Sequence, residues 1–326
     1  MQRVAIVGTG SYVPEKILSN SDLERLVDTS NEWITSRTGI YERRISDEQA
    51  PTSKLAIEAA KRALDAAGVK PEELDFILLA TVCPDMLFPS TACLVQSALG
   101  AKRAAAFDIS AGCTGFIYGL ELSRSLVIAD PTRKILLIGA EELTKIVDWT
   151  DRDTCVLFGD GAGAAVLVAV NEDRGILASY LGADGTLGDF LYIPGGGSLN
   201  PTTHLTVDGK MHFIKMSGNE VYKHAVRNMG DSAIKVLEMA YVTKGHIDVL
   251  IPHQANNRII QAVARRLELP MEKVLVNIQK YGNTSSASIP ITLDEAVRDG
   301  RIETGGIVLL TAFGAGFTWG AALLRW

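Results

Sequence analysis

The chain has 326 residues, 47% of them apolar, and 32 basic against 38 acidic side chains give a net charge of −6. That length allows two domains, or two halves sharing one core. The acidic balance disfavours nucleic acid and an anionic membrane surface as partners, while 30 glycines and only 6% aromatics fit a tightly turned α/β enzyme.

From the N-terminus, residues 3–7 read as a buried strand. Gly8-Thr9-Gly10 then reads as a tight strand-to-loop turn. It does not read as a dinucleotide fingerprint, because the third glycine is replaced by Val13 and Pro14 interrupts any helix. Residues 53–67 carry apolar side chains at the 3.6 period and stop at Gly68, which predicts a helix. Residues 76–82 form a continuous apolar strand, as in a sheet covered on both faces. A helix over 91–99 and a strand over 104–109 follow. The turn 110–113 then opens a helix through 128. A strand over 134–140 precedes a charged stretch, 141–153, and 155–158 with 164–170 read as a strand pair around FGDGAG.

The second half repeats the order. Helix 232–242, strand 248–252, helix 256–267 and strand 274–278 lead to the turn 282–286, which opens a helix through 297. Strand 307–310, the turn Gly314-Ala315-Gly316 and a last strand to 326 complete it. Asp75 to Cys113 spans 38 positions and Asp248 to Asn283 spans 35, so the layout predicts an internal duplication with halves 1–172 and 173–326. Alternating strands and helices predict an α/β fold with parallel-rich sheets. The longest apolar-and-glycine run, 161–170, is about half of what a spanning helix needs. The first residues lack the features of a signal peptide, so a cytoplasmic protein is expected.

Cysteines stand at 83, 93, 113 and 155 with no C-x-x-C pair, so free thiols are expected and no metal site. Cys113 alone falls at a strand-to-helix turn, where the helix N-terminus favours a thiolate. His253 ends a buried strand, and Asn283 occupies the turn equivalent to that of Cys113. Such turns meet at the carboxyl ends of strands, where sites form. Cys, then His 140 residues later, then Asn is also the chain order of papain-like proteases. AGCTGF, however, lacks the aromatic partner of that signature. Helix 256–267 carries Arg258, Arg265 and Arg266 with no acid, and Lys223 with Arg227 forms an i,i+4 pair, so two basic faces suit an acidic partner.

DISAGCTGFIYGL, FGDGAGAAVL, IPHQANNRII, YGNTSSASIP and AFGAGFTWGAALLRW together resemble the β-ketoacyl-acyl-carrier-protein synthase III family across essentially the whole chain. The resemblance implies a thiolase-like five-layered αβαβα fold and a homodimer. It implies a decarboxylating condensation of a short acyl-CoA, acetyl-CoA foremost, with malonyl-acyl-carrier protein, the step that starts type II fatty-acid synthesis. Coenzyme A would enter as a thioester substrate, with no tightly bound cofactor. Cys113 would be the acyl-accepting nucleophile, and His253 and Asn283 would bind the malonyl thioester carbonyl. The backbone N–H groups of Cys113 and Ala315 would face the acyl oxyanion. Trp33 and Arg152 would sandwich the adenine, and Thr29, Arg37, Asn219 and Asn256 would contact phosphate and pantetheine. Arg258, Lys223, Arg265 and Arg266 would meet the carrier protein. Phe88 would reach across the dimer to close the acyl pocket. A synthase of the same architecture with a branched or longer primer, or a polyketide- or quinolone-type product, is the alternative. A non-catalytic homologue is disfavoured by the presence of all three central residues.

Overall fold

A computed structural model describes residues 3–326. Strands β1 (Arg3–Tyr12), β2 (Phe76–Ala80), β3 (Ala105–Ile109), β4 (Ile135–Glu142) and β5 (Asp160–Val170) form one sheet in the order β1-β5-β4-β2-β3. Strands β6 (Gly175–Ala183), β7 (Val249–Pro252), β8 (Ile307–Gly314) and β9 (Thr318–Arg325) form a second, ordered β6-β9-β8-β7. A parallel bridge between Leu250 and Val274 continues it where β3 stands in the first. β2 pairs in parallel with both β3 and β4, and β7 with β8, while β4–β5, β5–β1, β8–β9 and β9–β6 are antiparallel.

The helices repeat likewise. Beside a small helix α1 (Asn31–Thr38), helices α2 (Thr52–Ala67), α3 (Thr91–Leu99) and α4 (Gly115–Ala129) have as counterparts α5 (Gly218–Ala240), α6 (Asn257–Leu267) and α7 (Ser288–Arg298). Helices α4 and α7 lie between the sheets, where Phe116, Ile117 and Leu120 share one core with Ile289, Leu293 and Ala296. Helices α2 and α3 cover the outer face of the first sheet, and α5 and α6 that of the second. The result is the five-layered αβαβα arrangement. Strands β4 and β8 are buried along their whole length, which is why their sequences lack alternation.

Several boundaries differ from the sequence reading, each for a local reason. Gly8-Thr9-Gly10 is the middle of β1, not a turn. A side chain at Gly8 or Gly10 would run into the α2 backbone at Ala63, 2.5 and 2.3 Å away, so the glycines let an alanine-rich helix face lie close on the sheet. Residues 155–158 are not a strand: Cys155 ends a helical turn, Arg152–Cys155, and β5 runs unbroken through Gly161 and Gly163. Helix α5 begins at Gly218 rather than 232, because Ala225 and Met229 extend its buried stripe into a polar stretch. Strand 274–278 reduces to the single bridge, since Ile278–Tyr281 folds as a helical turn.

Candidate active site

Two equivalent turns meet between the sheets. In the first half β3 leads to the 3₁₀ turn Gly112–Thr114, which opens α4 and carries Cys113. In the second, Asn283 precedes the 3₁₀ turn Ser285–Ala287, which opens α7. The third participant, His253, directly follows β7, its backbone N–H donating to Thr311 at 2.8 Å. Cys113, His253 and Asn283 line one cavity of about 460 Å³, together with Ser285, Phe313 and Ala315. Trp33, Arg37 and Asn256 line it too.

Glycines make the first turn possible. Gly112 has φ +55, and a side chain there would lie 2.7 Å from the Ala315 nitrogen. One at Gly314 would lie 2.5 Å from the Cys113 nitrogen. Gly112 and Gly314 therefore allow the Cys113 and Ala315 backbones to lie close together. Ala315 is not among the non-glycine residues with positive φ, so its methyl group fits this turn without backbone strain.

Electrostatics corrects one expectation. Burial pushes the Cys113 thiol up to about 12, and the Glu141 charge raises it further. Burial thus favours the thiol form of Cys113, against the thiolate that a helix N-terminus alone favours. His253 is 1% exposed, and burial lowers its pKa to about 3, so the ring is neutral near pH 7. Its Nδ1 lies 2.7 Å from the Ser288 hydroxyl. The Asn283 side-chain oxygen accepts the Ser285 N–H at 2.8 Å. That bond turns the amide N–H₂ away from the turn, as a donor.

Sequence reasoning misses Glu141, Ser285, Ser288 and Phe313. Glu141 falls in a stretch that reads as charged surface, yet it is fully buried. It accepts from Thr81, Val82, Cys83 and Ser286 at 2.8–3.1 Å. The run of small polar residues in GNTSSAS, directly before a buried helix, is the legible signal for the two serines. Phe313 lies near the end of the apolar strand β8 and packs edge-on to Phe317 at 4.7 Å.

The expected coenzyme A contacts divide. Arg37 and Arg152 guanidinium groups lie 4.6 and 5.1 Å from the Trp33 ring centre, a cationic and aromatic platform at one end of the cavity. Arg152 also donates to the Asp28 carbonyl at 2.9 Å. The Asn256 side chain is occupied: its oxygen caps α6 through the Arg258 N–H and its amide donates to the Arg37 carbonyl. Thr29 has a buried hydroxyl with no hydrogen-bond partner among the described residues. Asn219 is exposed in the first turn of α5, outside the cavity lining.

Among the basic residues, Arg258, Arg265 and Lys223 are exposed. Arg258 donates to the Ser36 carbonyl at 2.9 Å, and Lys223 lies 3.8 Å from Glu220. Arg266 is bound to Asp231, an acid that the neighbouring helix α5 supplies and that the sequence of α6 alone does not show. Phe88 is 85% exposed in a loop with Leu87 and does not line the cavity of the single chain.

Known proteins share both the sequence and the architecture. Family models described as 3-oxoacyl-[acyl-carrier-protein (ACP)] synthase III and as its C-terminal part match residues 107–185 and 237–326. The chain is 60% identical to the β-ketoacyl-[acyl-carrier-protein] synthase III of Caldanaerobacter subterraneus subsp. tengcongensis, over 98% of this chain and 97% of that protein. It is 54% identical to that of Natranaerobius thermophilus over the full length of both. The crystal structure of 3-oxoacyl-[acyl-carrier-protein] synthase III from Aquifex aeolicus VF5 superposes with a TM-score of 0.92 at 50% identity, covering 99% of this chain and 100% of that one. The priming β-ketosynthase of the R1128 polyketide pathway superposes at 0.91 and 34% identity, over 99% and 96%. With a cysteine, a neutral histidine and an asparagine gathered in one cavity of a five-layered fold, the chain belongs to the β-ketoacyl-acyl-carrier-protein synthase III family.

Proposed function

We propose that the protein condenses a short acyl-CoA, acetyl-CoA foremost, with malonyl-acyl-carrier protein, releasing CO₂ and forming a 3-ketoacyl-acyl-carrier protein. The observation that carries this reading is one cavity lined by Cys113, His253 and Asn283 together with Trp33 and Arg37.

In the first half-reaction the Cys113 sulfur attacks the acyl-CoA carbonyl. The backbone N–H groups of Cys113 and Ala315 hold the oxyanion, and the thiol proton ends on the departing CoA sulfur. In the second, the malonyl thioester oxygen sits between the His253 ring N–H and the Asn283 amide. Loss of CO₂ leaves an enolate there. Two neutral donors stabilise it without the repulsion an acid would bring. The enolate carbon then attacks the acyl-Cys113 carbon, and the released sulfur regains a proton. CoA enters and leaves as a substrate, and no step calls on a resident cofactor.

Trp33 and Arg152 flank the adenine in this reading, which requires Arg152 to lift from the ring it now covers. Thr29, Arg37, Asn219 and Asn256 lie along the phosphate and pantetheine path. Arg258, Arg265 and Lys223 receive an acidic carrier protein; Arg266, held by Asp231, contributes less. The edge strand β3 is paired on one side only, exposes Phe107, and lies in the same half as the exposed Leu87 and Phe88. These features support a homodimer in which Phe88 closes the partner's acyl pocket. No helix among the described residues is long and apolar enough to cross a membrane; we assign the reaction to the cytoplasm.

The test is product analysis with acetyl-CoA and malonyl-carrier protein. Formation of 3-ketobutyryl-carrier protein with one CO₂ per turnover is expected. No product with acetyl-CoA, and product only with longer or branched acyl-CoAs, would overturn the primer assignment.

A further inference from the structure

His253 is neutral because it is buried, so its ring holds one hydrogen, and which nitrogen holds it decides what the ring can do. Nδ1 faces the Ser288 hydroxyl at 2.7 Å, and Ser288 is 2% exposed. The same hydroxyl oxygen receives the Gln254 N–H at 3.4 Å. Among the described residues Ser288 Oγ has no other hydrogen-bond partner, so Nδ1 is the only acceptor for its hydrogen. The opposite arrangement, with Nδ1–H donating to Ser288, would leave the hydroxyl hydrogen buried and unpaired, which is costly away from water.

The surroundings fix this chain of donors. The Gln254 side chain donates to the Pro252 and Leu275 carbonyls at 2.8 and 3.1 Å and accepts the Asn277 and Ile278 N–H groups at 3.0 and 3.2 Å. Gln254 is therefore clamped, and its backbone N–H is held toward Ser288. At the other end, the Ser288 carbonyl accepts the Thr292 hydroxyl at 2.8 Å within α7.

We infer that Ser288 is a positioning residue that holds the neutral His253 ring in the form with hydrogen on Nε2, so that it can only donate toward the cavity. The order runs Gln254 N–H to Ser288 Oγ, Ser288 O–H to His253 Nδ1, and His253 Nε2–H to the substrate oxygen. No proton is transferred along it. The inference rests on the proposed function for what the donor acts upon. The tautomer itself is a property of the resting protein.

The experiment is nitrogen-15 NMR of histidine-labelled wild type, Ser288→Ala and Ser288→Thr, with no substrate, assigning His253 by its loss in His253→Gln. In the wild type, hydrogen on Nε2 and a bare Nδ1 are expected, unchanged as pH falls through the ordinary histidine range. Ser288→Ala is expected to mix the two forms and lower malonyl-carrier decarboxylation about 10²-fold while leaving acylation of Cys113 intact. Ser288→Thr, which keeps the hydroxyl, is expected to restore both the signal and the rate. Hydrogen on Nδ1 in the wild type would overturn the inference without any variant. So would an unmixed Nε2–H signal in Ser288→Ala. If the tautomer behaves as expected and the wild type decarboxylates no malonyl thioester, the positioning role stands and the proposed function falls.

Discussion

The two turns that meet at the cavity share a backbone design and differ in how they are wired. Each is a 3₁₀ turn feeding a helix between the sheets, and each contains one residue with left-handed φ: Gly112 at +55 and Ser285 at +48. The Cys113 turn is held by close backbone packing against Gly314 and Ala315. The Asn283 turn is held by side chains: Asn283 accepts from Ser285, Ser286 donates to Glu141, and Ser288 meets His253. In the first turn bare glycines let the Cys113 and Ala315 backbones come close; in the second a serine-rich turn holds polar side chains in fixed directions.

The largest effect should come from breaking the first turn's chemistry. Cys113→Ala should reduce acyl-enzyme formation from radiolabelled acetyl-CoA to background, because no other thiol lines the cavity. Next, Asn283→Ala and His253→Ala should each lower malonyl decarboxylation about 10²–10³-fold, the usual cost of one donor to an oxyanion, with acylation of Cys113 largely kept. A rapid-quench assay of each half-reaction reads this directly. Loss of acylation with intact decarboxylation would mean that the turns have been given each other's roles.

A smaller effect concerns the approach to the cavity. Arg258→Glu should raise KM for malonyl-carrier protein about tenfold and flatten its salt dependence, with KM for acetyl-CoA spared. Unchanged values would remove Arg258 from the docking face.

The smallest effect separates Cys113 from His253 by pH. His253 is lowered to about 3 from 6.5, so the unfolded chain binds the extra proton first, and stability falls as pH drops below about 6.5 toward 3. The loss is at most about 1.4 kcal/mol per pH unit. Cys113 is raised to about 12 from 9.0, so the unfolded chain ionises first, and stability falls as pH rises above 9. Thermal melts should therefore show His253→Gln flattening the acid side alone and Cys113→Ala the alkaline side alone. Melting curves of either variant that parallel the wild type across its range would contradict that assignment.

Much of this architecture is legible in the amino-acid sequence. Helices 53–67 and 91–99 and the buried strands announce themselves by periodicity and apolar runs. The placement of Cys113 and Asn283 follows from the repeat. What stays hidden depends on neighbours distant in the chain. Gly8 and Gly10 look like a turn until α2 lies against them. Glu141 looks like surface until Ser286, 145 residues away, is brought to its carboxylate. Arg266 looks free until α5 brings Asp231 to it. The raised thiol of Cys113 cannot be read at all, since burial is a property of the assembled cavity and not of AGCTGF.

The central claim is that the two turns divide the reaction between them, and the most direct test is intact-protein mass spectrometry with peptide mapping. Wild type, Asn283→Ala and Cys113→Ala would each be mixed with acetyl-CoA and then with malonyl-carrier protein. One acetyl group is expected on Cys113 in the first two and none in the third. On adding malonyl-carrier protein, the wild type should lose its acetyl group and Asn283→Ala should keep it. An acetyl group on Cys83, Cys93 or Cys155, or an Asn283→Ala protein that discharges as fast as the wild type, would contradict the claim.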